Sequence, residues 1–219
     1  MKKLESSLLN MVLVLVGVAL IMGGLLALVN HATEKQIEEQ AGKALADGIK
    51  TVMSCEKLTV TANDTITEEI DGKQCIFIVH KVADEKENEI GAAIESTTMG
   101  FGGNLKVLVG LNPKGDIQGY TILAHAETPG LGAKADTWFQ KGGKGDIIGK
   151  NPGSAKDSGK GLTVSKDNGE IDAITASTIT SRAFLKAVNQ AYNVYMKKTV
   201  DANTGSTKQM GNKNKEDVK

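Results

Sequence analysis

Two short segments concentrate the side chains and backbone conformations from which a binding site is built. Asp172-Ala-Ile-Thr-Ala-Ser-Thr-Ile-Thr-Ser181 places five hydroxyl residues in one run, directly before an amphipathic stretch. A helix begun there leaves its first N–H groups without intrahelical partners and turns the positive end of its dipole outward, a natural seat for a phosphate. Plain helix capping is the competing reading, although capping needs one hydroxyl and the run supplies several. The second segment is His125-Ala-Glu-Thr-Pro-Gly-Leu-Gly132. Pro129 fixes one backbone dihedral, while Gly130 and Gly132 permit close backbone approach to another group. Such a loop either lines a planar ligand with N–H groups or is a simple Pro-Gly turn.

Other chemistries find little support. The three histidines, His31, His80 and His125, are far apart, and Cys55 and Cys75 have no paired cysteines nearby, so no metal-ligand spacing is present. There is no Gly-x-Ser-x-Gly elbow, phosphate loop or dinucleotide fingerprint. Gly100-Phe-Gly-Gly103 falls between two strand-like runs and reads as a turn. Lys plus Arg and Asp plus Glu both number 26, so net charge offers no reason to propose a nucleic-acid partner. Two cysteines cannot build a disulfide framework; one bridge outside the cytoplasm and a reduced pair both remain open.

The elements that must position these segments begin with a membrane anchor. Leu8 to Val29 contains one polar residue, Asn10, and no charge. As a helix it reaches roughly 33 Å, enough for a hydrocarbon core of about 30 Å. A cleaved signal peptide would have a shorter apolar run and a better cleavage site than Leu28-Val29-Asn30-His31. Lys2 and Lys3 before the span predict a cytoplasmic N-terminus (residues 1–7) and a domain on the outer side. That domain, 30–197, has the size of one folding unit. Thr33-Glu-Lys-Gln36 has the form of a capping box, followed by Ile37, Ala41, Leu45, Ile49 and Val52 at helical spacing. Strand-like runs cover 57–62, 74–82, 90–98, 105–111 and 117–124, the last two joined by the turn Asn112-Pro-Lys-Gly115. A short helix is expected over 133–140, and a lid or flexible excursion over 142–161. A helix over 180–196 should bury Phe184, Val188, Ala191 and Tyr195, and the polar residues 198–219 read as a disordered tail. The order predicts an α+β fold: one transmembrane helix, then a domain with an antiparallel sheet flanked by helices.

Together, the anchor, Gly100-Phe-Gly-Gly103, the Asn-Pro-Lys-Gly turn, the Glu-Thr-Pro-Gly-Leu-Gly loop, Trp138-Phe139 and the Thr-rich run resemble the FMN-binding-domain family over roughly 90–195. Within that family the pattern is most similar to the G subunit of Rnf electron-transport complexes, and next to the C subunit of the sodium-translocating NADH:quinone oxidoreductase. The resemblance implies FMN joined through its phosphate to a Thr of a motif close to Asp-x-x-Ser/Thr-Gly-Ala-Thr-x-Thr, a bond made outside the cytoplasm by a flavin transferase. Position by position, Asp172 matches the acid, Thr175 the first hydroxyl, Thr178 the acceptor and Thr180 the trailing Thr. Ala176 stands where Gly is usual and Ser177 where Ala is usual. Glu127, Thr128, Gly130 and Leu131 would hold the flavin ring. The implied function is electron transfer by covalent FMN within a membrane-bound, ion-translocating ferredoxin:NAD⁺ oxidoreductase of the cell membrane, in company with other membrane and redox subunits. The alternatives are the quinone-reducing complex, or a flavin-free binding or assembly module, the latter favoured by Ala176 and Ser177.

Overall fold

The computed structural model describes residues 8–55, 57–155 and 161–204. The expected cytoplasmic residues 1–7 lie outside these, as do 205–219 of the expected tail. The chain divides into two units, Met1–Ala44 and Leu45–Lys219.

Helix α1 (Leu8–Met53) is continuous. Its apolar window has a mean hydropathy of 2.9 and is long and apolar enough to cross a membrane. The Thr33 capping box is therefore not a helix start: the Thr33 hydroxyl donates back to the carbonyls of Val29 and Asn30, at 2.9 and 3.2 Å. A hydroxyl inside a helix has those carbonyls within reach, so the local pattern of a cap does not suffice to begin a new helix. Of the predicted stripe, Ile37 and Ala41 stay exposed, whereas Ile49 and Val52 are buried.

In the second unit five strands form an antiparallel meander in sequence order: β1 (Thr59–Ile70), β2 (Lys73–Ala83), β3 (Glu89–Met99), β4 (Asn104–Leu111) and β5 (Ile117–His125). β1 runs well beyond the expected 57–62. Its partner turn is Asp71-Gly72, both residues at positive φ (53° and 72°), the backbone that a two-residue hairpin requires. The β4–β5 turn is as expected, with the Asn112 side chain accepting from the N–H groups of Lys114 and Asp116, both at 2.9 Å.

Alternation sends Phe77, Val79, Ile94, Leu105, Val107 and Val109 to one face of the sheet, where they meet helix α3 (Thr178–Thr204). Phe184, Val188, Ala191 and Tyr195 of that helix are buried there, as predicted. The opposite face presents Val82, Ala93 and Leu108 to Ile49, Val52 and Met53 of α1. Gly110 and Gly119 face each other across β4 and β5. A Cβ on Gly110 would collide with the Val52 carbonyl, and one on Gly119 would come within 2.8 Å of it. At Val52, therefore, α1 rests on bare strand backbone.

Residues 142–155 of the expected excursion are pinned down instead. Ile117 N–H donates to the Lys150 carbonyl at 3.0 Å and Gly149 N–H to the Ile117 carbonyl at 2.8 Å, while Ile147 is fully buried. Backbone pairing and one apolar anchor remove the freedom a lid needs. Of the rest of that stretch, 156–160 are outside the described set, and Gly161 takes φ 72°. Cys55 and Cys75 are both free thiols.

On the α1 side lies a buried ionic cluster. His80 places Nδ1 2.7 Å from Asn63 Oδ1 and Nε2 2.8 Å from Glu95 Oε1, and Lys106 Nζ pairs with Glu95 Oε2. Burial pulls the Glu95 carboxyl upward, but the hydrogen bonds and charges of His80 and Lys106 outweigh it and hold the group below its usual range. A depressed carboxylate stabilises the fold above its unfolded pKa, and that contribution is lost as pH falls through the folded value. Replacing Glu95 by Gln should destabilise the protein by about 2–4 kcal/mol at neutral pH, because the Lys106 ammonium loses its counter-charge and the buried His80 ring loses its carboxylate partner. Urea unfolding should also show a flatter decline below about pH 4.5 for Glu95→Gln than for the wild type; parallel acid limbs would contradict this account.

Candidate functional site

Three segments far apart in sequence meet at one cavity of about 390 Å³, within the range of about 300–1,000 Å³ common for small-molecule sites. The β3–β4 turn contributes Phe101, the loop after β5 contributes Glu127, Thr128, Leu131 and Gly132, and the start of α3 contributes Ala176, Ser177, Thr178 and Ile179. Phe101, Leu131 and Ile179 expose large apolar surface here.

Glu127 ties the three segments together. Its carboxylate is buried, and Oε1 accepts from the N–H groups of Phe101 at 2.8 Å and Gly102 at 3.4 Å. Oε2 accepts from the Thr180 hydroxyl at 2.8 Å, which in turn accepts from the Ser177 hydroxyl at 2.9 Å. The space this carboxylate occupies dictates nearby sequence. A Cβ on Gly100 would strike Oε1 and one on Gly132 would strike Oε2.

The hydroxyl run before α3 sorts into distinct tasks. Ser181 Oγ accepts from Ile174 N–H at 2.9 Å and donates to the Ser177 carbonyl at 3.0 Å, which closes the turn ahead of the helix. Ser177 and Thr180 belong to the Glu127 chain. Thr178, the first residue of α3, lines the cavity and receives a hydrogen bond from Lys166 Nζ at 3.2 Å. Ala176 adopts φ 61°, the left-handed conformation that Gly takes without strain.

Of the residues expected to act together, Glu127, Thr128, Leu131, Ala176, Ser177 and Thr178 do line the cavity, while Thr180 stands behind them on Glu127. Gly130 and Thr175 are exposed and stand outside the lining set. Gly130 has φ 75° and serves the turn, in which Leu131 N–H donates to the Thr128 carbonyl at 3.1 Å. Phe101, Ile179 and Lys166 join the site without having been singled out by the sequence pattern. An aromatic residue isolated among glycines, and an isoleucine between two threonines on a helix start, were the available signals for the first two.

Behind the loop, residues 132–138 form a 3₁₀ turn and the short helix α2 (Ala135–Trp138). The Tyr120 hydroxyl donates to the Ala135 carbonyl at 2.6 Å and accepts from Phe139 N–H at 3.2 Å. Burial pushes its pKa well up, so it remains a donor. Phe139 stacks on Phe184 with centroids 4.3 Å apart, and the Trp138 indole donates to the Asp172 carbonyl at 2.8 Å. Loop and helix start are therefore fixed to the same core. No group able to hold a metal ion occurs among the described residues.

Residues 100–193 match the family model of the FMN-binding domain, which gives the class of the domain. Residues 1–52 match the model of the RnfG N-terminal region. The G subunit of the ion-translocating oxidoreductase complex of Shewanella baltica is 35% identical over 79% of this chain and 82% of its own length. The corresponding G subunits of Shewanella oneidensis, at 35% with the same coverage, and of Shewanella piezotolerans, at 31% over 84% of this chain and 89% of its own length, are similar. The chain belongs to the family of G subunits of ion-translocating oxidoreductase complexes.

The geometry makes two stability forecasts. Gly132→Ala should cost about 2–4 kcal/mol, since the new methyl displaces a buried, hydrogen-bonded carboxylate. Ala176→Gly should gain about 0.5–1 kcal/mol, by relieving the left-handed residue against the added freedom of the unfolded chain. Urea titrations of the detergent-solubilised protein measure both, and an Ala176→Gly protein weaker than wild type would count against the strain assigned here.

Proposed function

We propose that this chain is an electron-carrying subunit of a membrane-bound, ion-translocating oxidoreductase, with FMN esterified through its phosphate to Thr178. What carries the reading is the position of the Thr178 hydroxyl: at the start of α3, on the cavity, beside an ammonium group. The residues present suit the group. Phe101, Leu131 and Ile179 offer apolar surface to a planar ring, and the first turn of α3 offers unpaired N–H groups and the positive end of a dipole to a phosphate.

Ser177, the neighbouring hydroxyl, is a weaker acceptor candidate, because it donates into the chain that ends on Glu127. Ala176 gives no support to a flavin-free module: it already holds the backbone conformation that a glycine would supply. When bound, the flavin supplies the one-electron chemistry. The protein's part is to pack the ring with Phe101, Leu131 and Ile179, to neutralise the phosphate and to fix the loop through Glu127. Thr128 joins that loop at the cavity wall, and Gly130 and Thr175 shape the turns on either side.

The orientation belongs to the same reading. Lys2 and Lys3 hold the N-terminus in the cytoplasm and put the FMN domain outside, where a flavin transferase works and where a dissociable cofactor would be lost. Other membrane and redox subunits are the partners, in keeping with relatives that are named as parts of a complex.

Co-expression with a flavin transferase, followed by denaturing electrophoresis under ultraviolet light, should give a fluorescent band that is absent in Thr178→Ala and retained in Ser177→Ala. An intact mass showing only unmodified wild-type chain would overturn the proposal.

A further inference from the structure

We infer that Lys166 is the positioning cation of this site: its ammonium orients the Thr178 hydroxyl before the cofactor is attached, and becomes the counter-ion of the phosphodiester afterwards. The inference rests on the reading of Thr178 as the attachment residue: the transferase would draw on a flavin dinucleotide, the Thr178 oxygen bonding to the flavin-side phosphorus as the pyrophosphate bond breaks, a nucleoside monophosphate leaves and the hydroxyl proton passes to solvent. Lys166 Nζ donates to Thr178 Oγ1 at 3.2 Å, although the two residues lie in different elements.

The turn that carries it is built for placement. Ser165–Asp167 forms one 3₁₀ turn, closed by Asn168 at φ 64° and by Gly169 N–H donating to the Val164 carbonyl at 3.0 Å. Val164 and Ile171, both buried, form a bridge at its base. Asp167 then clasps Arg182 through two hydrogen bonds of 2.7 Å. Arg182 follows Thr178 by four residues, so it stands one turn along the same helix face. Both flanks of Lys166 are thus tied, one to the core and one to α3.

The charge balance points the same way. The adjacent carboxylate, Asp167, is taken by Arg182, whose guanidinium holds that carboxyl below its usual range. Among the described residues Lys166 forms no ion pair, and its contact at the cavity is a neutral hydroxyl. No anion among the described residues pairs with this ammonium, and a phosphodiester on Thr178 would supply one through a charge-assisted hydrogen bond. The exposure of Lys166 lets solvent screen the interaction, so the effect is moderate.

The test is a time course of intact mass for the full-length chain co-expressed with a flavin transferase. Lys166→Ala should load about fivefold more slowly than wild type, and Lys166→Arg should recover to within about twofold because it keeps the charge. Thermal melting of the unloaded chain should be the same for all three proteins. The inference fails if Lys166→Ala loads at the wild-type rate, if Lys166→Arg is as slow as Lys166→Ala, or if Lys166→Ala melts lower and thereby reveals a structural role. If the wild type loads at Thr178 and Lys166→Ala loads equally, only the role of Lys166 falls. If the wild type gains no mass, or gains it away from Thr178, the attachment reading falls and this inference with it.

Discussion

The architecture of the site depends on one buried carboxylate. Glu127 is nearly enclosed, and a buried polar group can stay there only if its lone pairs are met by donors. Two backbone N–H groups of the β3–β4 turn and the Thr180 hydroxyl meet them. The same three bonds draw together segments separated by 26 and 53 residues in the chain. Gly100 and Gly132 follow from this one side chain, because any Cβ there would displace it. The resemblance to FMN-binding domains assigns Glu127 to the flavin ring; the structure gives it a prior task, as the tie that makes a cavity from three loops.

Around that tie the sheet works as a two-sided plate. One face carries the large apolar residues that receive α3, and the stacked pair Phe139 and Phe184 locks α2 to the same core. The other face is smaller and mixed, with the end of α1 over Ala93 and Leu108 and the ionic group of His80, Glu95 and Lys106 beside it. The packed face positions the helix whose first residue is Thr178, so the site inherits its rigidity from the larger core.

Much of this was legible in the sequence because the periodic signals were strong. The unbroken apolar run of α1, the Val-, Ile- and Thr-rich runs of β2 to β5 and the helical stripe of Phe184, Val188, Ala191 and Tyr195 each mark an element by residue type or period. The length of β1 was harder to read, since residues 63–69 face solvent in part and carry few apolar markers, although Asp71-Gly72 was an available hairpin signal. The capping box at Thr33 misled because a cap and a mid-helix hydroxyl share one local pattern, and only the uninterrupted helix around it decides between them. In the site, the hydroxyl run and the Pro-Gly loop were legible as chemistry. Which hydroxyl faces the cavity and which feeds the Glu127 chain depends on contacts between distant segments, and no spacing encodes that. Lys166 escaped for the same reason: it approaches Thr178 through the fold and through the clasp of Asp167 on Arg182.

The paired glycines of β4 and β5 set how closely the end of α1 approaches the sheet. Val52 sits on bare backbone at Gly110 and Gly119, while the side chains of Val82, Ala93 and Leu108 fill the space around it. β5 begins beside that seat and ends at His125, where the chain turns into the loop that Glu127 fastens. A side chain at either glycine would lift residues 45–53 from the sheet, so the close seat of this helix end is set by two missing Cβ atoms as much as by the apolar surface around them.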